Sequence, residues 1–311
     1  MKDKKAKDNS LFNYYGFTKK DVKKYPVISR ILKQLTPERM KKENEAIQRI
    51  KLPLELQKWV KEYEKVGERD EFLWRWAYRT FQILTYSSVV KKYQKPVKKI
   101  KFLILMFIVL LDDVSDKMKN KTLSNIILQI PSRGNDLKIA QTSQRETQYI
   151  EFAIKIWHYI EITIQKYPRY KEFKGVFDFD IIQMLNAMKY ANLLNKNHYL
   201  INTVENWMYF SHNMQGMISC TVDLMCSPKL DVGEVGFIRE ITWYAQQMTR
   251  VGNWINTWGR EVEENDFTSV IFAYAIKDNI IQSEDLAKNI NTEKTIVRYS
   301  MSIREYTQSL P

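Results

Sequence analysis

Cysteine, glycine and proline are scarce in this sequence of 311 residues, which has two cysteines, nine glycines and eight prolines. The cysteines, Cys220 and Cys226, are six positions apart, which fits neither a zinc site nor a redox pair, so a reducing compartment is expected. Scarce glycine and proline disfavour sheets and low-complexity tracts. The abundant leucine, isoleucine, lysine, glutamate and aromatic residues instead favour an all-α fold.

Long apolar runs are also lacking. The strongest run, Phe102 to Leu111, has ten residues, about half of the roughly 20 that a membrane-spanning helix needs. No apolar signal core follows the basic N-terminal residues, so we expect a cytoplasmic protein without stable membrane insertion. The run itself is predicted to form a helix that is buried on all sides.

The motifs of several enzyme classes are missing as well. No glycine-rich phosphate loop, nucleophile elbow or zinc motif occurs, and His158, His198 and His212 lack metal-ligand spacing. The net charge of +13 predicts attraction to anions, which include phosphates, nucleic acids and acidic membranes. Because the basic residues are spread along the chain and no recognition motif stands out, a nucleic-acid partner is not expected.

The spacing of apolar residues predicts one helical domain over residues 26–311 after a basic lead, residues 1–25, without regular structure. A long loop is expected at 131–136, and a helix over 207–225 is expected to break near Gly216. Further helices are predicted at 71–93, 98–118, 144–167, 178–195, 232–263, 267–276, 283–288 and 293–306.

An acidic cluster ends the apolar run. Asp112 and Asp116 are four positions apart on one helix face, with Asp113 beside them. Carboxylates that converge next to apolar residues repel one another, and a counter-cation such as Mg²⁺ relieves that repulsion. A solvated helix end is the alternative, but acid at a helix C-terminus opposes the macrodipole. The cluster therefore favours metal binding.

A second polar cluster lies on the helix predicted at 232–263. Asn253, Thr257 and Glu261 recur every four positions and so lie along one stripe, where they provide three hard oxygen ligands. Arg260 is placed to reach an anion on the metal. Polar residues at this spacing often only face water, so the two clusters together carry more weight than either alone.

The pair of motifs resembles the metal motifs of class I terpene synthases. In that family an aspartate-rich motif ends an apolar helix and an Asn-Ser/Thr-Glu motif follows about 140 residues later; here Asp112 and Asn253 are 141 positions apart. The resemblance covers residues 70 to 290. It implies an α-helical bundle with a central cavity. Bacterial enzymes that act on C20 diphosphates are most similar around the second motif.

The resemblance implies an activity and a ligand set. Asp112 and Asp116 would bind two Mg²⁺ ions, Asn253, Thr257 and Glu261 a third, and Arg260 the diphosphate, with Mn²⁺ as a substitute metal. The expected reaction is the ionisation of a prenyl diphosphate, with C20 geranylgeranyl or copalyl-type substrates favoured over C15 farnesyl diphosphate, and cyclisation of the carbocation. A homodimer and a separate class II cyclase that supplies substrate are compatible with this expectation.

The carbocation must be shielded from water by an apolar, aromatic wall. Leu105, Ile108 and Val109 are candidates because they lie one to two turns before the aspartates. Aromatic candidates, for which ordinary core packing is the favoured alternative, are Trp76, Phe81, Trp207, Phe210 and Trp254.

Two departures from the family are visible. The family places an arginine diphosphate sensor before the helix break, but only His212 lies near Gly216, so the sensor is unassigned. An Arg-Tyr pair far downstream has the candidates Arg298-Tyr299 and Arg304 with Tyr306.

Two alternatives remain open. A chain-elongating prenyltransferase shares the scaffold and the first motif, but would carry a second aspartate-rich motif where this chain has Asn253, Thr257 and Glu261. A basic helical module without enzymatic activity would release no phosphate from prenyl diphosphates.

Overall fold

The chain is helical throughout the residues that the computed structural model describes, and these residues contain no strand. They are residues 37–118, 120–134, 142–264, 266–279 and 281–287. The all-α prediction is thereby confirmed for this part of the chain. The chain divides into two compact units, one of Lys51–Val270 and one that combines Met1–Ile50 with Ile271–Pro311. The predicted lead, residues 1–25, lies outside the described residues, and a single domain over 26–311 stays a prediction.

Thirteen α-helices are assigned within the described ranges. They are α1 (Pro37–Gln48), α2 (Leu54–Tyr63), α3 (Glu71–Ile83), α4 (Lys91–Asp112), α5 (Lys121–Ile127), α6 (Ile130–Arg133), α7 (Gln144–Ile164), α8 (Tyr170–Leu194), α9 (Thr203–Phe210), α10 (Gly216–Met225), α11 (Val235–Glu264), α12 (Val270–Lys277) and α13 (Ser283–Ala287). Short 3₁₀ turns lie at His198–Leu200, Ser211–Met214 and Val232–Glu234, and a π-helical turn at Asp113–Lys117. None of these helices is both long and apolar enough to cross a membrane.

Helix α4 is the core of the larger unit, as the apolar run predicts. Nearly every side chain from Val97 to Leu111 is buried, and the helix packs against α3, α7 and α10. Aromatic rings fill these contacts: Phe102 lies 5.8 Å from Trp74 of α3, measured between ring centroids. A helix that is apolar all round needs such partners on every side. This packing fixes the position of the acidic end of α4.

The predicted helix break is confirmed between α9 and α10. The backbone of Gln215 is left-handed, with φ 63°, and Gly216 begins α10. A Cβ atom at Gly216 would lie 2.8 Å from Gln246 Oε1, so glycine allows the close approach of α11. Gln215 Nε2 also donates to the Lys101 carbonyl at 2.8 Å, which ties the break to α4.

Several predicted boundaries are wrong. The helix predicted at 71–93 ends at Ile83, and Pro96 lies inside α4 instead of closing the earlier helix. Proline removes one backbone hydrogen bond there, and the extensive burial of α4 offsets that loss. Gly175 lies inside α8, which begins at Tyr170 and not at 178. In the loop predicted at 131–136, Ile130–Arg133 forms a helical turn.

Of two further helices predicted, at 232–263 and 293–306, the first agrees with the structure and the second lies outside the described residues. The long helix predicted at 232–263 is confirmed by α11, which a 3₁₀ turn precedes. In the smaller unit, α12 is apolar and buries Phe272 and Ala275, while α1 is mostly polar and buries Ile47. The helix predicted at 293–306 lies outside the described residues.

Candidate functional site

The end of α4 changes from α-helical to π-helical geometry at the acidic cluster. Asp112 is the last residue of α4, and Asp113 begins the π-helical turn. The wider turn places the neighbouring carboxylates in different surroundings: Asp113 is 3% exposed, whereas the side chain of Asp112 is 42% exposed. Asn192 of α8 donates to Ser115 Oγ at 3.1 Å, so the turn lies against α8. The side chain of Asp116 is outside the described residues.

A single arginine bridges the two carboxylates. Arg69 Nη2 lies 2.6 Å from Asp112 Oδ2, and Arg69 Nε lies 2.6 Å from Asp113 Oδ1. Tyr63 donates its phenolic proton to the other oxygen of Asp113. Burial opposes the charge of Arg69, but the two carboxylates outweigh it and raise the pKa of the guanidinium. Burial, reinforced by Asp113, also raises the pKa of Tyr63. The phenol therefore stays protonated and can donate.

In this structure the positive charge beside Asp112 and Asp113 is therefore the guanidinium of Arg69. Both oxygens of Asp113 accept hydrogen bonds from protein groups, so Asp113 serves to hold Arg69 and Tyr63 at the end of α4. Asp112 shares the same guanidinium but remains partly open to solvent. Of the two, Asp112 is the one with a carboxylate accessible to a ligand.

The second predicted cluster is assembled on α11. Thr257 Oγ1 lies 2.6 Å from Glu261 Oε1 and 2.8 Å from the carbonyl oxygen of Asn253. Glu261 is 4% exposed, whereas Asn253 and Thr257 are half-buried, so the Glu261 end of the stripe faces the protein interior. The interpretation of these residues as a solvated face is therefore wrong for Glu261.

Arg250 is a cation beside this stripe. Its Nη1 donates to Asn253 Oδ1 at 2.8 Å, and its guanidinium lies 5.0 Å from the ring centroid of Trp254 and 6.0 Å from that of Phe210. Arg250 is 6% exposed. A buried cation is thus stacked among aromatic faces next to the polar stripe. The side chain of Arg260, the predicted diphosphate contact, lies outside the described residues.

The candidate cavity residues divide into two groups. Ile108 and Val109 belong to the buried core around α4, and Leu105 packs against it while partly exposed. Trp207 and Trp254 meet with ring centroids 5.7 Å apart, and Phe210 lies 5.5 Å from Tyr190. Trp254 and Phe210 lie against Arg250 and Trp207 packs on Trp254. By contrast, Trp76 is 39% exposed and Phe81 is a core residue.

The two predicted clusters differ in which oxygen atoms could bind a metal ion. Among the described side chains, no group of three or more histidine, cysteine, aspartate or glutamate residues could hold a metal ion. The Thr257 hydroxyl and the Glu261 carboxylate lie 2.6 Å apart and suit Mg²⁺ by type, whereas the side-chain oxygen of Asn253, also a suitable donor, accepts a hydrogen bond from Arg250. Asp112 suits it as well. Asp113 does not fit, since Arg69 and Tyr63 bind both of its oxygens.

A cavity of about 300 Å³ lies beside Asp113. Its lining includes Tyr149 and the ion pair of Glu68 with Arg145, whose Nη2 lies 3.2 Å from Glu68 Oε1. A charged lining is unsuited to shelter a carbocation from polar groups. The cavity is therefore not the predicted apolar chamber.

Three residues of the site were missed from the sequence. Tyr63 and Arg69 lie 50 and 44 positions from Asp113, and no pattern links them to it. Arg250 precedes Asn253 by three positions, so helical spacing could have placed it on the same face.

At the helix break, burial lowers the pKa of His212, which keeps the ring neutral. Arg298, Tyr299, Arg304 and Tyr306 lie outside the described residues.

No protein-family model, curated protein or solved structure matches the chain.

Proposed function

We propose that the chain is a magnesium-dependent class I terpene synthase that ionises a prenyl diphosphate, releases diphosphate and cyclises the carbocation. The observation that carries the proposal is the stripe of Asn253, Thr257 and Glu261 on α11, in which buried Glu261 accepts from the half-buried Thr257 beside the aromatic rings around Arg250. Carboxylate, hydroxyl and amide oxygens on one helix face are ligand types that Mg²⁺ prefers. The C20 substrate class follows from the family resemblance.

Each residue has a defined part in this proposal. Asp112 and Asp116 would hold Mg²⁺ at the end of α4, and Asn253, Thr257 and Glu261 would hold it on α11. Bound Mg²⁺ would supply Lewis acidity that neutralises the leaving diphosphate. Arg250 and Arg260 would add positive charge for the same anion. Asp113, Arg69 and Tyr63 are positioning residues, because they fix the end of α4 without touching substrate.

The aromatic residues support the second half of the reaction. Trp254 and Phe210 already present ring faces to the buried guanidinium of Arg250, and Trp207 packs on Trp254, so this environment accommodates positive charge. The same faces would stabilise a carbocation and exclude water from it. Product identity would then depend on the contour of these rings.

The alternatives remain distinguishable. A chain-elongating prenyltransferase would join two prenyl diphosphates into a longer one, and its elongated product retains a diphosphate. A binding module without enzymatic activity would release no diphosphate from any of these substrates. The proposed enzyme releases diphosphate and leaves a hydrocarbon or an alcohol that organic solvent extracts.

The test uses Thr257 because the chain offers a matched control. Thr163 of α7 is also partly buried, and its hydroxyl donates to the Tyr159 carbonyl at 2.7 Å, as that of Thr257 does to Asn253. Purified protein is incubated with C10, C15, C20 and copalyl-type diphosphates and Mg²⁺. Extracts are analysed by mass spectrometry and diphosphate release is measured. We expect Thr257→Val to lower turnover at least ~100-fold, and Thr163→Val and Thr257→Ser to retain most of it.

Equal loss in Thr257→Val and Thr163→Val would show a general effect of removing a buried hydroxyl. That result would remove Thr257 from the proposed site. A wild type that converts none of the diphosphates, or turnover that survives exhaustive chelation with EDTA, would refute the proposed function.

A further inference from the structure

An apolar stripe runs along the exposed face of α11, on residues that the proposed active site does not use. Phe237, Ile241, Tyr244 and Met248 are each more than half exposed. Their spacings of four, three and four positions are the a/d repeat by which two helices pack along a shared seam. We call these four residues the α11 seam.

The residues beside the seam are small or uncharged. Gly236, Ala245 and Thr249 are exposed on this face, and Glu240 is its one charge among residues 235–249 that is exposed. In a chain with 27% charged residues, a face of this kind is unusual. Contiguous exposed apolar surface marks an interaction site. The stripe is therefore a docking surface, and its chemistry indicates the occupant.

We propose that the α11 seam is the interface of a homodimer, in which α11 packs antiparallel against α11 of a second copy. A two-fold axis between residues 242 and 243 would pair Phe237 with Met248 and Ile241 with Tyr244. Both pairs match a large ring with a flexible or aliphatic side chain, and sulfur–aromatic contact is favourable. The seam is self-complementary in this direction, which a two-fold interface requires.

The residues beside the α11 seam are also complementary across this two-fold axis. The axis places Glu240 opposite Ala245 and Gly236 opposite Thr249, so a larger side chain meets a smaller one each time. The two copies of Glu240 do not face each other, and no like-charge contact arises. In a parallel pairing each glutamate would lie beside its equivalent, which is unfavourable. The charge pattern thus selects the antiparallel arrangement.

The available area indicates a dimer that dissociates on dilution. Four large side chains and their small neighbours remove roughly 500 Å² from water on each copy, about 1,000 Å² in total, which is near the lower limit for specific interfaces. Val204 and Met208 of α9 are also exposed, and Trp207 between them has its Nε1 3.1 Å from the Gln247 side-chain amide of α11. These residues extend the apolar surface towards α9.

A membrane surface is the other occupant that an apolar stripe could suit. Membrane-surface helices carry lysine and arginine along their polar face. The one cation in residues 235–249 is Arg239, and it is bound to Asp180 at 2.7 Å. The exposed charges between residue 229 and Glu240 are one base, Lys229, and three acids, Asp231, Glu234 and Glu240, so the net charge there is negative and an anionic membrane would repel it. A second copy of the chain therefore fits the surface better.

Sedimentation equilibrium of the full chain over a range of concentrations tests the proposal. Ile241 of the seam is 52% exposed and Ile182 of α8 is 53% exposed, which makes Ile182→Glu a matched control for Ile241→Glu. We expect the wild type and Ile182→Glu to rise from 37.2 kDa towards twice that mass. Ile241→Glu should stay monomeric. A wild type that is monomeric at every concentration, or equal masses for both variants, would overturn the proposal.

Disulfide trapping tests the direction of pairing. Residues 237 and 248 are eleven positions apart, or about 16 Å along the helix. Antiparallel pairing brings position 237 of one copy to position 248 of the other, but keeps identical positions apart. With the oxidant diamide, a mixture of Phe237→Cys and Met248→Cys chains should form covalent dimers, and neither variant alone should. Cys220 and Cys226 are buried and do not interfere. Crosslinking of either variant with itself would contradict the antiparallel dimer.

Vesicle flotation resolves the membrane alternative. Vesicles of phosphatidylserine and phosphatidylcholine that bound the wild type and Ile182→Glu but not Ile241→Glu would assign the seam to a membrane and refute the dimer. Equal flotation of all three proteins, together with the expected masses, would support it.

Discussion

Helix α4 carries two ion-paired carboxylate sites that differ in burial. In its middle, Lys101 Nζ lies 2.6 Å from Asp223 Oδ2 of α10, and both side chains are fully buried. At its end, Arg69 bridges Asp112 and Asp113, and Asp112 remains 42% exposed. Lys101 and Asp223, the inner pair, are closed to solvent, so no ligand can replace either partner. Arg69 with Asp112 and Asp113, the outer pair, leaves the Asp112 carboxylate partly exposed. A cation from solution can compete with Arg69 for that carboxylate.

Burial changes the energetics of the inner pair. Desolvation lowers the pKa of Lys101 and raises that of Asp223 to about 6, because both charges are costly in an apolar surrounding. Asp223 Oδ2 also accepts from the Tyr86 amide at 3.1 Å, while its Oδ1 has no hydrogen-bond partner among the described residues. The inner pair is therefore a structural feature in which neither charge tolerates loss of the other.

The largest expected effect comes from breaking the inner pair. Lys101→Met leaves Asp223 buried without its cation and should lower the free energy of unfolding by about 3–5 kcal/mol. Urea unfolding followed by circular dichroism measures this loss. Lys101→Met combined with Asp223→Leu removes both charges and should recover most of the stability, since apolar replacement of a buried pair is often neutral. A double variant as unstable as the single one would show that the pair itself stabilises the fold.

A smaller effect follows from the pKa of Asp223. Its folded pKa, about 6, lies above the ordinary value of 3.8, so between these values the folded state binds more protons than the unfolded state. The contribution of Asp223 to stability is then fully present below pH 4 and is lost as the pH rises towards 6.

The measurement is the free energy of unfolding in urea, from pH 4 to 7, of the wild type and of the double variant Lys101→Met with Asp223→Leu, which lacks both buried charges. The wild type should lose on the order of 2 kcal/mol relative to the variant over this window. Parallel pH profiles of the two proteins would contradict the assignment of the titration to Asp223.

The periodicity of the sequence predicts the parts of the molecule that depend on local patterns. The buried run of α4, the length of α11 and the break at Gly216 follow from apolar spacing, helix length and glycine placement. The boundary after Ile83 does not follow, because apolar residues such as Leu84 continue the pattern beyond the helix end. Local spacing likewise places Asn253, Thr257 and Glu261 on one stripe, and the structure confirms that they are close.

Partners distant in sequence could not be predicted in this way. Arg69 approaches Asp112 from 43 positions away, and Lys101 approaches Asp223 from 122 positions away. Because such pairs form through tertiary packing, the repulsion among Asp112, Asp113 and Asp116 indicates that a cation is needed but not which cation is present. The exposed α11 seam was missed for the same reason: its apolar residues look like core until the packing around α11 is known.

The smallest expected effect on stability is at the outer pair, and there the change should appear in ligand binding instead. Asp178 of α8 is a matched control for Asp112, because its side chain is 47% exposed and bound to Lys174. Exposed ion pairs contribute about 0–1 kcal/mol, so Asp112→Asn and Asp178→Asn should both melt close to the wild type without ligand.

If Asp112 binds Mg²⁺, added Mg²⁺ and inorganic diphosphate should stabilise the wild type and Asp178→Asn by about 2.7 kcal/mol at 100 times the Kd. Asp112→Asn should show little of this gain, because the substitution removes one of the two carboxylates that the proposal places on Mg²⁺ at the end of α4. An equal gain in all three proteins would mean that the outer pair is as closed to ligands as the inner one, and the acidic end of α4 would then be a structural clamp.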